Sequence, residues 1–105
     1  MLNIVLNKNI EYTFGDTFSL TIFPGEAAEF TTGMQLRFVV AETEESEYII
    51  DKLININDDL TFTITLTDAE KVKLPIKEYI YKMSTIKNGV VVTEKSGFFN
   101  VKWGA

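Results

Sequence analysis

The stretch LTFTITLTDAEKVKLPIKEYIYKM, residues 60–83, decides how this chain folds. Its first seven residues alternate between apolar side chains and threonines, a pattern typical of a strand with one face in a core. A second β-patterned run closes the stretch. Between them, Thr67 and Glu70 have the spacing of a capping box, and Pro75 bars a longer helix. The stretch therefore predicts two strands joined by one short helical turn near residues 68–74.

The same alternation recurs along the whole chain and predicts seven or eight antiparallel strands. The pair Asn88-Gly89 favours a two-residue hairpin, because both residues tolerate positive φ. The alternation also assigns five side chains to the core: Leu36, Phe38, Phe62, Ile64 and Val101. The first predicted strand region combines residues 2–7 and 10–14. The other predicted strands cover residues 17–23, 34–41, 47–54, 60–66, 78–86, 90–95 and 98–103.

The composition sets limits on fold and function. A chain of 105 residues with 46% hydrophobic residues predicts a single domain, residues 1–105, with its own core. The net charge of −5 and a single arginine, Arg37, argue against nucleic-acid binding. The apolar runs are too short to cross a membrane, and no leader pattern opens the chain. We therefore expect neither a nucleic-acid partner nor a membrane, and synthesis in a cytoplasm.

The residue types offer no catalytic constellation, so we do not expect an enzyme. The chain has no histidine and no cysteine, which removes the usual general base and the thiol ligands of structural zinc. Two acidic segments, residues 42–47 and 55–59, could in principle hold calcium, but each is better explained as a turn. In the second segment, Leu60 and Leu66 stand where an EF-hand needs glycine and glutamate. The sequence thus predicts no catalytic, cofactor-binding or metal-binding residue.

The helical turn in the opening stretch has a topological explanation. A sandwich must carry its chain from one sheet to the other, and in immunoglobulin-like folds the strand after one such crossing begins with a tyrosine corner. Tyr79 fits that position, because its hydroxyl could bond back to the upstream backbone. Tyr81 would then pack inward against Leu20 and Phe38. The expected fold is an all-β, antiparallel, immunoglobulin-like β-sandwich.

Phe98 is the one aromatic residue that does not follow the pattern. It is out of phase with Phe99, Val101 and Trp103, which together mark the inward face of the last strand. Either Phe98 caps a bulge after Gly97, or it is exposed at an interface.

Five short motifs, in order, resemble a family of immunoglobulin-like domains in bacteriophage tail and baseplate proteins. The likeness is to the N-terminal domain of the phage baseplate upper protein and its relatives, and it covers residues 10–103. The matching segments are GDTF at 15–18, FTTG at 30–33, LTDAE at 66–70, YIY at 79–81 and GFFNV at 97–101.

The resemblance implies a non-enzymatic structural protein of the virion, in tail, baseplate, neck or capsid. Its partners would be other phage structural proteins or further copies of itself in an oligomer or ring. We expect the segments GVVVTEK, residues 89–95, and LNIVLN, residues 2–7, to supply edge strands for such contacts. The alternative is a small phage or bacterial binding module that recognises a host protein or a surface glycan.

Overall fold

The computed structural model describes residues 9–23 and 30–103 and shows an all-β protein with one short helix. The predicted strand over residues 2–7 lies outside the described residues. Within them there are seven strands. Their bounds are β1 Ile10–Thr13, β2 Ser19–Ile22, β3 Gln35–Ala41, β4 Tyr48–Asn55, β5 Phe62–Thr65, β6 Lys77–Lys87 and β7 Val90–Lys102, and α1 covers Asp68–Lys71.

The strands form a five-stranded sheet of order β1-β7-β6-β3-β4 and a two-stranded sheet of β2 and β5. Most neighbours are antiparallel, as the alternation predicts. The pair β1 and β7 is parallel, with Ile10 opposite Phe99, so the large sheet is mixed rather than wholly antiparallel. Parallel neighbours need a long connection. Nearly the whole chain lies between these two strands and provides it.

The hairpin of β6 and β7 is longer than the sequence indicates. Asn88 and Gly89 both have positive φ, 54° and 78°, which confirms the predicted two-residue turn. The two strands predicted over residues 90–95 and 98–103 are in fact one, because β7 runs through Gly97 without a break. Gly97 stays extended opposite Tyr81, within a ladder that pairs β7 with β6 on both sides of it.

The segment after β5 crosses from the small sheet to the large one, as the opening stretch predicts. Its helix begins at a complete capping box: the Glu70 N–H donates to Thr67 Oγ1 at 3.2 Å, and the Thr67 N–H donates to Glu70 Oε1 at 2.8 Å. Tighter turns, closed by the N–H groups of Lys73 and Leu74, continue the helical path to Leu74. The α-helix is therefore shorter than residues 68–74, although the helical turn as a whole extends that far.

At its C-terminal end, where β6 begins, the crossover makes the predicted tyrosine contact. The Tyr79 hydroxyl donates to the Pro75 carbonyl oxygen at 2.7 Å, and the Tyr79 side chain is buried. Burial raises the pKa of Tyr79, which keeps the hydroxyl protonated as a donor. Lys52 of β4 donates to Glu70 at 2.8 Å, so the large sheet also holds the helix. The crossover is thus tied to its surroundings at both ends.

The buried side chains of both sheets belong to one hydrophobic cluster. All five predicted core residues are buried. Aromatic rings contact each other in this cluster: Phe18, which precedes β2, lies 5.6 Å from Phe99 of β7, centroid to centroid. Phe38 and Tyr81, 6.2 Å apart, are on neighbouring strands of the large sheet. Leu20 is partly buried against the same cluster. Residues of both sheets therefore contribute to one core.

Candidate interaction surface

The described residues contain no group of three or more acidic side chains that could hold a metal ion. Within the same ranges, no helix is long and apolar enough to cross a membrane. The chain has neither histidine nor cysteine, so the features described below are those of its surface.

We call the face of the five-stranded sheet that points away from the core the outer face. It carries a row of apolar residues across β3, β6 and β7. The register places Ala41 opposite Ile80, and Ile80 opposite Phe98. These three residues therefore share one face. Phe98 is 46% exposed, whereas Ala41 is buried, although neither belongs to the core cluster. Phe98 is therefore exposed and caps no bulge, because β7 continues through Gly97, and its place at an interface stays a prediction.

A cleft of about 460 Å³ lies along this row. Its floor is formed by Ile80, Phe98 and Lys82, and the loop after β3 rises as one wall. The volume falls within the roughly 300–1,000 Å³ of sites that bind small molecules or single anchoring side chains. The lining consists of residues 42–44, 80, 82 and 96–98. A smaller recess beside it shares Ile80 and Lys82 and extends to Val39 and Tyr48.

The wall of the cleft is acidic. It belongs to the segment of residues 42–47, whose four glutamates are all exposed. The segment is the turn that the sequence favours: the Ser46 N–H donates to the Thr43 carbonyl oxygen, and the two hydroxyls lie 2.7 Å apart. Glu42 pairs with Lys77 at 2.7 Å, which raises the pKa of Lys77. Glu44 has no ion pair with any described residue, so its charge is available at the rim.

The outer face also carries an ion pair between the neighbouring strands β3 and β4. Arg37 Nε and Nη2 donate to the two carboxylate oxygens of Asp51 at 2.9 and 2.6 Å. The hydrogen bond from Arg37 lowers the pKa of Asp51. The guanidinium carbon also lies 5.4 Å from the centre of the Tyr48 ring. The single arginine is thus partnered by one carboxylate and one aromatic ring.

The other acidic segment, residues 55–59, forms a turn, as the sequence favours. The Leu60 N–H donates to the Asn57 carbonyl oxygen at 2.9 Å, and Leu60 has a positive φ of 62°. Asp59 accepts hydrogen bonds from both the backbone and the hydroxyl of Thr61. These polar groups stabilise the turn itself.

The predicted edge segment GVVVTEK lies in the first half of β7. β1 pairs with β7 only from Phe99 to Lys102, so among the described strands the half from Val90 to Phe98 has only β6 beside it. Three exposed valines, Val90 to Val92, begin this half. A register shift beside them and the charges of Glu94 and Lys95 are features that discourage edge pairing. The other predicted edge, residues 2–7, lies outside the described residues.

Two residues of the outer face could be identified from the sequence alone. Phe98 was identified because it is out of phase, and Ile80 between Tyr79 and Tyr81 carries the same signal. The sequence reasoning missed the cleft, because the approach of residues 42–44 to Ile80 and Phe98 depends on which strands are neighbours. No pattern in the glutamate run specifies that neighbourhood.

No protein-family model matches this chain, and no curated protein shows significant similarity to it. The resemblance to phage tail and baseplate domains therefore stays a prediction from the motifs quoted above. Any assignment of function depends on the properties of the outer face.

Proposed function

We propose that this protein is a non-enzymatic structural component of a bacteriophage particle, and that it acts by docking to other phage structural proteins or to copies of itself. The observation that carries the proposal is the cleft of the outer face, whose floor of Ile80, exposed Phe98 and Lys82 lies on the paired strands β6 and β7. Rigid elements hold a binding surface in a fixed shape and reduce the entropy lost on association.

The proposal includes an immunoglobulin-like β-sandwich as the finer description of the fold. Its support is the crossover from β5 to β6, with the Tyr79 hydroxyl on the Pro75 carbonyl oxygen as a tyrosine corner. The two sheets that share one hydrophobic cluster are consistent with this architecture. The phage assignment adds the five motifs in their order along the chain.

Docking suits this residue set better than catalysis does. Hydroxyl nucleophiles need a neighbouring base, and a chain without histidine lacks the commonest one. A structural protein needs only a stable fold and complementary surfaces. A specific contact of this kind buries about 1,000 Å² or more in total. An exposed aromatic residue such as Phe98, at one end of the apolar row, is a typical anchor for such a contact.

The direct experiment is to tag the protein in its phage, purify particles by density gradient, and measure the tagged protein by quantitative mass spectrometry. We expect a fixed number of copies per particle and chemical cross-links from the outer face to other virion proteins. Absence from washed particles would contradict the proposal.

The second candidate is a small phage or bacterial binding module for a host protein or a surface glycan. The observation that favours it is the presence of two exposed aromatic rings, Phe98 and Tyr48, beside the cleft and its neighbouring recess. Aromatic faces of this kind stack on sugars as well as on protein side chains. Binding of the purified protein to a host glycan, with no copies in the particle, would favour this candidate.

A further inference from the structure

The single tryptophan of the chain, Trp103, is the most exposed large hydrophobic residue among residues 9–23 and 30–103. The alternation predicts Trp103 on the inward face with Phe99 and Val101, but that prediction is wrong: β7 ends at Lys102, and Trp103 is 79% exposed. It does not line the cleft of its own chain. Tryptophan is the residue type most enriched among the energetically dominant residues of protein interfaces. Lys102 precedes it, so this end of β7 carries a cation and an indole at consecutive positions of the chain.

The cleft has the complementary properties. Its floor of Ile80 and Phe98 can receive an aromatic ring, and its volume of about 460 Å³ leaves room for an indole. Its lining also holds Lys82, Glu42 and Glu44. Glu42 is already paired with Lys77, so Glu44 is the carboxylate that can accept a basic residue beside that ring. The cleft thus offers apolar contact for an indole and one acidic partner for a lysine.

We propose that the cleft of one copy receives Lys102 and Trp103 of a second copy, an inference that rests on the proposed assembly role and specifies its contact. The Trp103 indole lies on Ile80 and Phe98, and the Lys102 ammonium pairs with Glu44 of the receiving copy. Because the two contacting surfaces differ, the contact is head-to-tail. Repeated head-to-tail contacts close into a ring or continue as a filament.

Lys102 already pairs with Glu11 of its own chain, but this pair does not prevent Lys102 from binding a second copy. Within the chain Lys102 pairs with Glu11 at 2.8 Å, and both side chains are more than half exposed. Exposed pairs of this kind contribute little to stability, so Lys102 can change partners at small cost. The net charge of −5 makes two copies repel each other, and a basic tail on an acidic rim is a contact that reverses this locally.

The test uses the full chain and its own tryptophan as the reporter. Light scattering and Trp103 fluorescence are measured together over a range of protein concentrations. We expect the mass to rise with concentration and the emission to shift to the blue as the indole leaves water. Phe98→Ser should weaken association roughly tenfold or more, as loss of an interface anchor does.

The matched control is Leu53→Ser, since Leu53 is also a strand residue of the large sheet, is 59% exposed, and lies outside the cleft lining. It should leave association unchanged. Glu44→Lys, in an exposed turn, is the second test variant if Phe98→Ser unfolds. Circular dichroism of each variant establishes that it is folded.

A mixing experiment tests the head-to-tail geometry. Trp103→Ala retains an intact cleft, and Phe98→Ser retains an intact tail. Each variant alone should be monomeric, and an equimolar mixture should form a heterodimer. A wild-type chain that is monomeric at all concentrations would overturn the inference, as would association that Phe98→Ser leaves intact, or a mixture that stays monomeric.

The failure of this inference is distinct from failure of the proposed function. A monomeric protein that is still found at fixed copy number in particles would reject the head-to-tail contact and keep the structural role. A self-associating protein that is absent from particles would keep the head-to-tail contact and reject the structural role in the phage.

Discussion

Phe98 and Phe99 are neighbours of identical chemistry, yet one is 46% exposed and the other is fully buried. The difference comes only from the period of two along β7, which sends successive side chains to opposite faces of the sheet. On the inner face, Phe99 packs on Phe18 and Phe38. On the outer face, Phe98 forms the floor of the cleft. One strand thus contributes to both the stability of the fold and the surface proposed for assembly.

The largest expected effect concerns the inner face of the small sheet, where the same alternation separates Phe62 from Thr63. Phe62 is fully buried and packs on Phe30, with ring centroids 5.0 Å apart. Phe62→Ala should lower the free energy of unfolding by about 3–5 kcal/mol, because it removes buried apolar area and leaves a cavity. Thr63→Ala is the control and should cost far less. Equal losses in urea denaturation would show that the assignment of faces is wrong.

The next effect concerns the crossover that delivers β6 to the large sheet. Tyr79→Phe retains the buried ring and removes the hydroxyl that bonds to Pro75. The change should cost about 1–3 kcal/mol, because a part-buried carbonyl oxygen loses its donor. Tyr48→Phe, at an exposed ring, is the matched control. Thermal unfolding compares the two, and indistinguishable midpoints would remove the tyrosine corner from the account.

A somewhat smaller effect is expected at the start of the helix. Thr67→Ala removes the oxygen that accepts from the Glu70 N–H, and should lower the free energy of unfolding by about 0.5–2 kcal/mol. Thr67→Ser keeps that oxygen and should retain most of the stability. If chemical denaturation gives the same midpoint for Thr67→Ala and the unmodified chain, the cap contributes nothing.

The smallest predicted effect is a pH dependence from Glu70. Burial of this carboxyl raises its pKa, but hydrogen bonds from Lys52 and from the Thr67 backbone outweigh burial and lower the pKa below the ordinary 4.5. A lowered folded-state pKa contributes stability above 4.5, and that contribution is lost as the pH falls through the folded value. Glu70→Gln should reduce the loss of stability on acidification by about 1 kcal/mol or less.

Glu45→Gln, in the exposed turn of residues 42–47, is the control for that experiment. Urea denaturation at neutral pH and on the acid side of 4.5 provides the measurement. Equal acid sensitivity in Glu70→Gln and the unmodified chain would contradict the assigned role of this carboxylate.

Local chemistry made much of the fold predictable. Alternation assigned Leu36, Phe38 and Phe62 to the core, and the pair Asn88-Gly89 specified its own turn. The capping box and Tyr79 also act over three or four residues, so their partners were visible in the sequence. Each of these features depends on backbone geometry within one turn or strand.

Features that join segments far apart in the chain, such as strand pairing and the cleft, could not be predicted from local sequence patterns. The parallel pairing of β1 with β7 joins residues near opposite ends of the chain, and one-sided alternation, which is typical of antiparallel sheets, does not reveal a single parallel pair among them. Gly97 suggested a break that the partner strand β6 prevents. The cleft requires residues 42–44 to lie beside Phe98, a relation set by strand order. Phe98 itself was detected only as a departure from pattern.

The measurement that tests the central claim most directly is urea denaturation of Phe98→Ala beside Phe99→Ala, at a protein concentration where the chain is monomeric. The account predicts a loss of about 3–5 kcal/mol for Phe99→Ala, because its ring is fully buried in the core. It predicts about 1 kcal/mol or less for Phe98→Ala, as for other exposed substitutions. Equal losses for the two variants would show that Phe98 belongs to the folding core, and would contradict a surface kept free for docking.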